Sequence, residues 1–169
     1  VLCAGAGIAL LALALTLLGL YIQARHGGAT DPMLFRADLL WYAPWNIHYS
    51  VGVDGISVLM LLLSAIIVLT GVFASWRIDP MPKEYFLWYF LLSTGVFGFF
   101  ISIDLFSMFM FYEIALIPMF LLIGIWGSGQ KERAAMKLTL MLMGGSALLL
   151  LGILGLYFFH GAESMNLLV

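Results

Sequence analysis

The sequence predicts an all-α, polytopic transmembrane helical bundle, and three observations carry that expectation. Of 169 residues, 64% are hydrophobic and only 9% are charged, with a mean hydropathy of +1.11, well outside the range of a soluble globular domain. Five apolar runs, at 1–24, 56–76, 85–103, 105–126 and 138–159, match the roughly 20 helical residues needed to cross a hydrocarbon core of about 30 Å. Apart from Glu113, no Lys, Arg, Asp or Glu interrupts any of them. Backbone polar groups cannot stay unpaired in lipid, and barrel strands are shorter and alternate, so these runs must be helices. The whole chain, 1–169, reads as one membrane domain.

The first run has no basic residues ahead of it and is longer than a secretory signal core, so it reads as a spanning helix. The chain opens on Val1 without an initiator Met, which fits a partial chain. The segment 25–55 is an interfacial loop. Within it, 46–53 (Asn46-Ile47-His48-Tyr49-Ser50-Val51-Gly52-Val53) alternates polar or small with apolar residues and predicts a short strand. Trp41, Tyr42, Trp45 and Tyr49 place that segment along the membrane surface, where amphipathic rings settle. Asp54 then stands where it can cap the second helix, and Asp104 the fourth, each carboxylate accepting first-turn amides. Both read as caps rather than proton carriers. Gly95 and Gly98 in the third run, and Gly144, Gly145 and Ser146 in the fifth, permit close helix approach.

Orientation follows from the seven Lys and Arg. Five of them, Arg77, Lys83, Lys131, Arg133 and Lys137, lie at the two short connections, and only Arg25 and Arg36 in the long loop. The excess of basic residues puts the short connections and the first residue on the cytoplasmic side. A net charge of −2 without a basic patch argues against a nucleic-acid partner.

Cysteine and histidine carry little chemistry. Cys3 is the one cysteine, so it forms no intrachain disulfide and lacks the companions a metal site needs. His26, His48 and His160 fall at loops or helix ends without a spacing that would pair them as ligands. No Ser, His and Asp arrangement lies within the spans and no glycine-rich phosphate loop follows a strand, so hydrolysis and nucleotide binding find no support.

Glu113 is different. An ionisable group at membrane depth costs roughly 2.5 to 3.5 kcal/mol on insertion scales and usually marks an ion or proton pathway. Its neighbours on one helix face, Phe106, Phe109, Met110, Leu116, Ile117 and Phe120, are all apolar, so any compensation comes from another helix. Such a carboxyl is either neutral, because desolvation favours the protonated form, or ionised beside a cation or water. A group poised between those states can take up and release protons; the alternative is a Glu bonded to a neighbouring helix for packing. Pro118 withholds an amide from the carbonyl of Ile114, a break that points to a hydrated locality near Glu113. Lys137 is the nearest candidate relay in sequence. It lies close to the cytoplasmic end of the fifth helix, on the order of 15 Å from Glu113 along the helices, and can instead snorkel to the interface.

These residues resemble a known family. Asp54-Gly55-Ile56-Ser57 running into Val58-Leu59-Met60-Leu61, Phe109-Met110-Phe111-Tyr112-Glu113 followed by Ile117-Pro118-Met119, Gly124-Ile125-Trp126-Gly127, and Ala134-Ala135-Met136-Lys137-Leu138 look like the antiporter-like membrane subunits of NADH:quinone oxidoreductase, respiratory complex I. The type is called M in bacteria and 4 in mitochondria. The likeness runs over nearly the whole chain, and the Glu113-to-Pro118 block is its most specific part. It implies a larger fold of about fourteen spanning helices, of which these five would be the second to sixth, and it implies that Glu113 is the essential glutamate of the fifth. It further implies proton transport coupled to quinone reduction, with other membrane subunits and the lipid bilayer as partners. NADH, FMN, iron–sulfur clusters and quinone would be handled by other subunits, with no cofactor in this chain. A bacterial inner membrane is the expected location. The family's buried lysines of later helices have no counterpart here, so these residues do not form a complete proton path.

On that resemblance, Glu113 would gain and lose a proton as the charge of a lysine on a later helix approaches or withdraws. The attraction of such a pair, about 4 kcal/mol at 4 Å and an effective dielectric near 20, is large enough to gate the transfer. Subunits of multisubunit sodium/proton antiporters and membrane-bound hydrogenases share the pattern and remain an alternative, as does a non-transporting scaffold. An embedded enzyme lacks a pair of catalytic groups at suitable depths.

Overall fold

The helices of the computed structural model pack each on the next in chain order. Residues 2–28, 33–42, 47–79 and 81–159 are described. Five helices, α1 (Leu2–His26), α2 (Gly55–Ala74), α3 (Pro82–Ile101), α4 (Leu105–Trp126) and α5 (Lys131–Phe159), are joined by short connections, except where a hairpin of β1 (Leu34–Tyr42) and β2 (Ile47–Val53) separates α1 from α2. All five helices are long and apolar enough to cross a membrane.

The expected all-α bundle is therefore present, with differences at its edges. The fourth span begins and ends where the sequence places it. The third begins at Pro82 rather than 85, since a proline at the first helical position gives up only an amide that would be unpaired there anyway. The fifth begins at Lys131 rather than 138, because hydropathy marks the lipid crossing while Lys131, Glu132, Arg133, Ala134 and Ala135 are good helix formers outside it. Lys131 also closes the preceding helix, its Nζ donating to the carbonyl of Ile125 at 2.6 Å.

The loop 25–55 holds two strands where the sequence reading finds one. The antiparallel pairing of β1 with β2 shifts between Leu34 and Ala37 and again between Leu40 and Tyr42. The pairing is regular only from Ala37 to Leu40, with an irregularity on each side, so β1 lacks the unbroken alternation that marks a strand in a sequence. The hairpin is tied to the helices at the α3–α4 junction: the amide of Ile103 donates to the carbonyl of Ser50 at 2.9 Å, and Val51 bridges Ser102. Trp41 and Tyr49 rest on α4 through Phe106 and Phe111, with ring centroids 6.1 and 6.2 Å apart. Trp45 and His160, named from the sequence, lie outside the described residues.

Glycines set the closeness of the α3–α4 contact. A Cβ at Gly95 would stand 2.8 Å from that of Ala115 and 3.1 Å from its backbone, and one at Gly98 would run into the Phe111 ring. One cluster of buried side chains, Val53, Val58 and Leu61, joins the hairpin to α1, α2 and α3 through Leu17, Tyr21 and Phe97. The topology places the hairpin at one end of the bundle, together with the start of α4, and the five basic residues of the short connections at the other.

Candidate functional site

The depth of Glu113 is set by the capping of α4. Asp104 is fully buried, and its Oδ2 accepts the amides of Phe106 and Ser107 at 3.0 Å each, fixing the first turn. Asp54 does the same for α2, accepting the Ser57 amide at 2.6 Å. Burial pushes the Asp54 carboxyl up, but hydrogen bonds from the Ser57 hydroxyl and amide, and from the amides around it, outweigh that and hold it below the ordinary carboxylate range. Both aspartates are spent as caps. Glu113 then lies roughly 12 Å along α4 from Leu105 and roughly 20 Å from Trp126, at 1.5 Å per residue, well inside the span.

Glu113 is half-buried, and its Oε1 is buried with no hydrogen-bond partner among the described residues. Contacts between α4 and α5 show which way it faces. Phe106 and Phe109 pack on Ile153, and a Cβ at Gly124 would meet Ala135 at 3.8 Å. On α4, Phe106, Glu113 and Gly124 are seven and eleven residues apart, which at 100° per residue puts them within about 20° of one line. The carboxyl thus belongs to the stripe turned toward α5.

Pro118 lies elsewhere. It is fully buried and falls on the stripe with Phe111 and Ala115 that packs on α3, about 140° around the helix from Glu113. The proline ring itself is thus packed against α3, while Ile114, whose carbonyl it leaves without an amide, is exposed.

Lys137 is exposed, with no hydrogen bond or ion pair among the described residues. Two residues beyond Ala135, it stands level with Leu122, nine residues and roughly 14 Å from Glu113 along the axis. The two sequence-derived site residues are not brought together. What stands level with Glu113 is Ser146, a buried hydroxyl that the sequence reading treated as packing.

Another face of α4 carries Ser107, Met110, Phe111 and Ile114. With Leu39, Trp41 and Tyr49 of the hairpin these line an apolar cavity of about 560 Å³, separate from the α5-facing stripe. Cys3 is a free, half-buried thiol, and among the described residues no group of three His, Cys, Asp or Glu could hold a metal ion. His26 is exposed, with Nδ1 2.9 Å from the carbonyl of Ile22.

Comparison with known proteins gives a consistent result. Residues 102–169 match the family described as "NADH:quinone oxidoreductase/Mrp antiporter, TM". The chain is 34% identical over 151 residues to the NADH-ubiquinone oxidoreductase chain 4 of Chondrus crispus, covering 88% of this chain and 30% of that one. It is 34% identical over 149 residues to the NADH-quinone oxidoreductase subunit M of Rhodobacter capsulatus, covering 88% and 29%. A chain of respiratory complex I from Thermus thermophilus superposes with a TM-score of 0.70 at 28% identity, over 89% of this chain and 31% of that one. The chain thus spans about three tenths of the length of these relatives.

Proposed function

Because this chain belongs to the antiporter-like membrane subunits of the NADH:quinone oxidoreductase and Mrp antiporter family, we propose that it is the part of a proton-translocating subunit that carries the glutamate of the transfer step. The subunit works in an NADH:quinone oxidoreductase of a bacterial inner membrane, moving protons while quinone is reduced elsewhere in the complex. The observation that carries this reading is the buried, unpartnered Oε1 of Glu113 on the stripe facing α5. A carboxyl placed at that depth for packing alone would have its oxygens satisfied by neighbours, since an unmet buried acceptor costs about 1–3 kcal/mol. One left open is suited to meet a mobile proton or an approaching cation.

Glu113 exchanges the proton, neutral when the nearest positive charge is far and ionised when a lysine from a later part of the subunit draws near. Lys137 acts only at a distance: roughly 14 Å requires water or intervening side chains to join it to Glu113. Redox cofactors belong to other subunits, and the partners of this chain are the neighbouring membrane subunits and the bilayer.

The family description also includes Mrp antiporters, which supports a second reading in which the same helices serve a sodium/proton antiporter complex. Purification of the tagged full-length subunit in mild detergent separates the two. Co-elution with NADH-driven quinone reduction is the expected result. Co-elution with sodium/proton exchange and no quinone reductase would transfer the chain to the antiporter class, and recovery of the subunit alone, without either activity, would contradict both.

A further inference from the structure

Ser146 stands opposite Glu113, and its own hydrogen bond determines what it can offer. On α5 the buried residues Ala135, Ser146 and Ile153 are eleven and seven residues apart, again within about 20° of one line. That line is the mirror of Gly124, Glu113 and Phe106 on the antiparallel α4, and the outer members of the two sets touch: Gly124 at Ala135 and Phe106 at Ile153. Eleven residues from one contact and seven from the other, Glu113 and Ser146 fall at the same level on facing stripes. Packed helices lie about 8–10 Å apart between axes, within reach of a glutamate side chain.

The Ser146 hydroxyl donates to the carbonyl of Met143 at 3.0 Å. With its proton committed there, the oxygen presents only lone pairs toward α4, and a hydroxyl in that state receives a carboxylic acid but not a carboxylate. We propose that Ser146 is a positioning residue for the transfer step, accepting a hydrogen bond from the neutral carboxyl of Glu113 and so fixing the place from which the proton leaves. Once the proton has gone to its acceptor, the hydroxyl is free to turn from Met143 and donate to the carboxylate, so one side chain serves both states without any bond to carbon changing. Among the described residues no charged group competes at this level. On α3, the Gly95–Ala115 and Gly98–Phe111 contacts make the apolar Val96 and Phe97 the residues level with Glu113, and on α5 the nearest charge is the distant Lys137.

This inference rests on the role assigned to Glu113, and the test separates the two. Turnover-induced infrared difference spectra of the intact membrane complex are recorded for wild type, Glu113→Gln, Ser146→Ala, Ser146→Cys and Ser146→Thr, alongside proton transport. The carboxylic C=O band of Glu113 is the one lost in Glu113→Gln. In Ser146→Ala and in the size-matched Ser146→Cys that band should move to higher wavenumber and transport should fall about fivefold, the equivalent of one lost neutral hydrogen bond, while Ser146→Thr restores both. An unmoved band and normal transport in the Ala and Cys variants would overturn the proposal, as would a Thr variant as impaired as Ala. A Glu113→Gln complex that loses no band and pumps normally would instead bring down the function proposed for Glu113.

Discussion

At the scale of single residues, the carboxyl groups of Asp54, Asp104 and Glu113 divide by what their oxygens meet. Asp54 and Asp104 accept the first-turn amides of α2 and α4, and an aspartate N-cap is worth about 1 kcal/mol, up to about 2. Asp104→Ala is therefore expected to lower the thermal stability of the subunit more than Asp54→Ala, because Asp104 is fully buried and makes two such bonds at the junction that holds the hairpin, while Asp104→Asn keeps an acceptor and loses less. The Asp54 contribution depends on pH with a definite sign. Its carboxyl sits below the ordinary value in the folded state, so its stabilisation is present above about pH 4, the ordinary carboxylate range, and fades as pH falls through the depressed folded value. The difference in melting temperature between wild type and Asp54→Ala should narrow on that acid side, and a gap independent of pH would contradict the capping account. Both caps were legible in the sequence, because an aspartate just ahead of a long apolar run has few other uses. Glu113 was legible by the opposite criterion, a charge with no local partner. Ser146 was not: a serine among glycines reads as a packing residue until the antiparallel pairing of α4 and α5 sets it opposite Glu113.

At the scale of elements, α4 is held from three sides, and each contact fixes one coordinate of Glu113. The Asp104 cap and the Ile103–Ser50 bond fix its depth, the Gly95–Ala115 and Gly98–Phe111 contacts fix the rotation toward α3, and the Ile153 and Ala135 contacts aim the carboxyl at α5. Interiors packed at crystal density do not absorb an added methyl group against backbone. Gly95→Ala should therefore cost about 1–3 kcal/mol of stability and reduce assembly of the subunit, measured as its yield in the purified complex. Gly144→Ala, where the space is open, should leave that yield unchanged. The helices themselves followed from hydropathy, but two features did not. The amino-terminal turns of α5 lie outside the lipid crossing and carry charge, so an apolar count cannot find them, and β1 is disguised by two shifts in pairing that destroy its alternation.

At the scale of the whole molecule, five crossings with the hairpin at one end and five basic residues at the other define a polarity across the membrane. A single cysteine placed at Gly129, between α4 and α5, should react with an impermeant maleimide only from the cytoplasmic side, and one at Arg36 only from the opposite side. The reverse pattern would invert the topology. Within that polarity, Glu113 has a buried oxygen that no described residue satisfies, and on the proposed function its counter-charge comes from a neighbouring part of the complex. Lys137 near the cytoplasmic end is too distant to be that counter-charge directly, and Lys137→Ala should impair transport less than loss of the glutamate. The most direct test of the proton-exchange role is the ratio of protons moved to quinone reduced, measured in inverted vesicles that carry Glu113→Gln in the full-length subunit. The account predicts an assembled complex whose ratio falls because proton movement through this subunit is lost; an assembled complex with an unchanged ratio would contradict it.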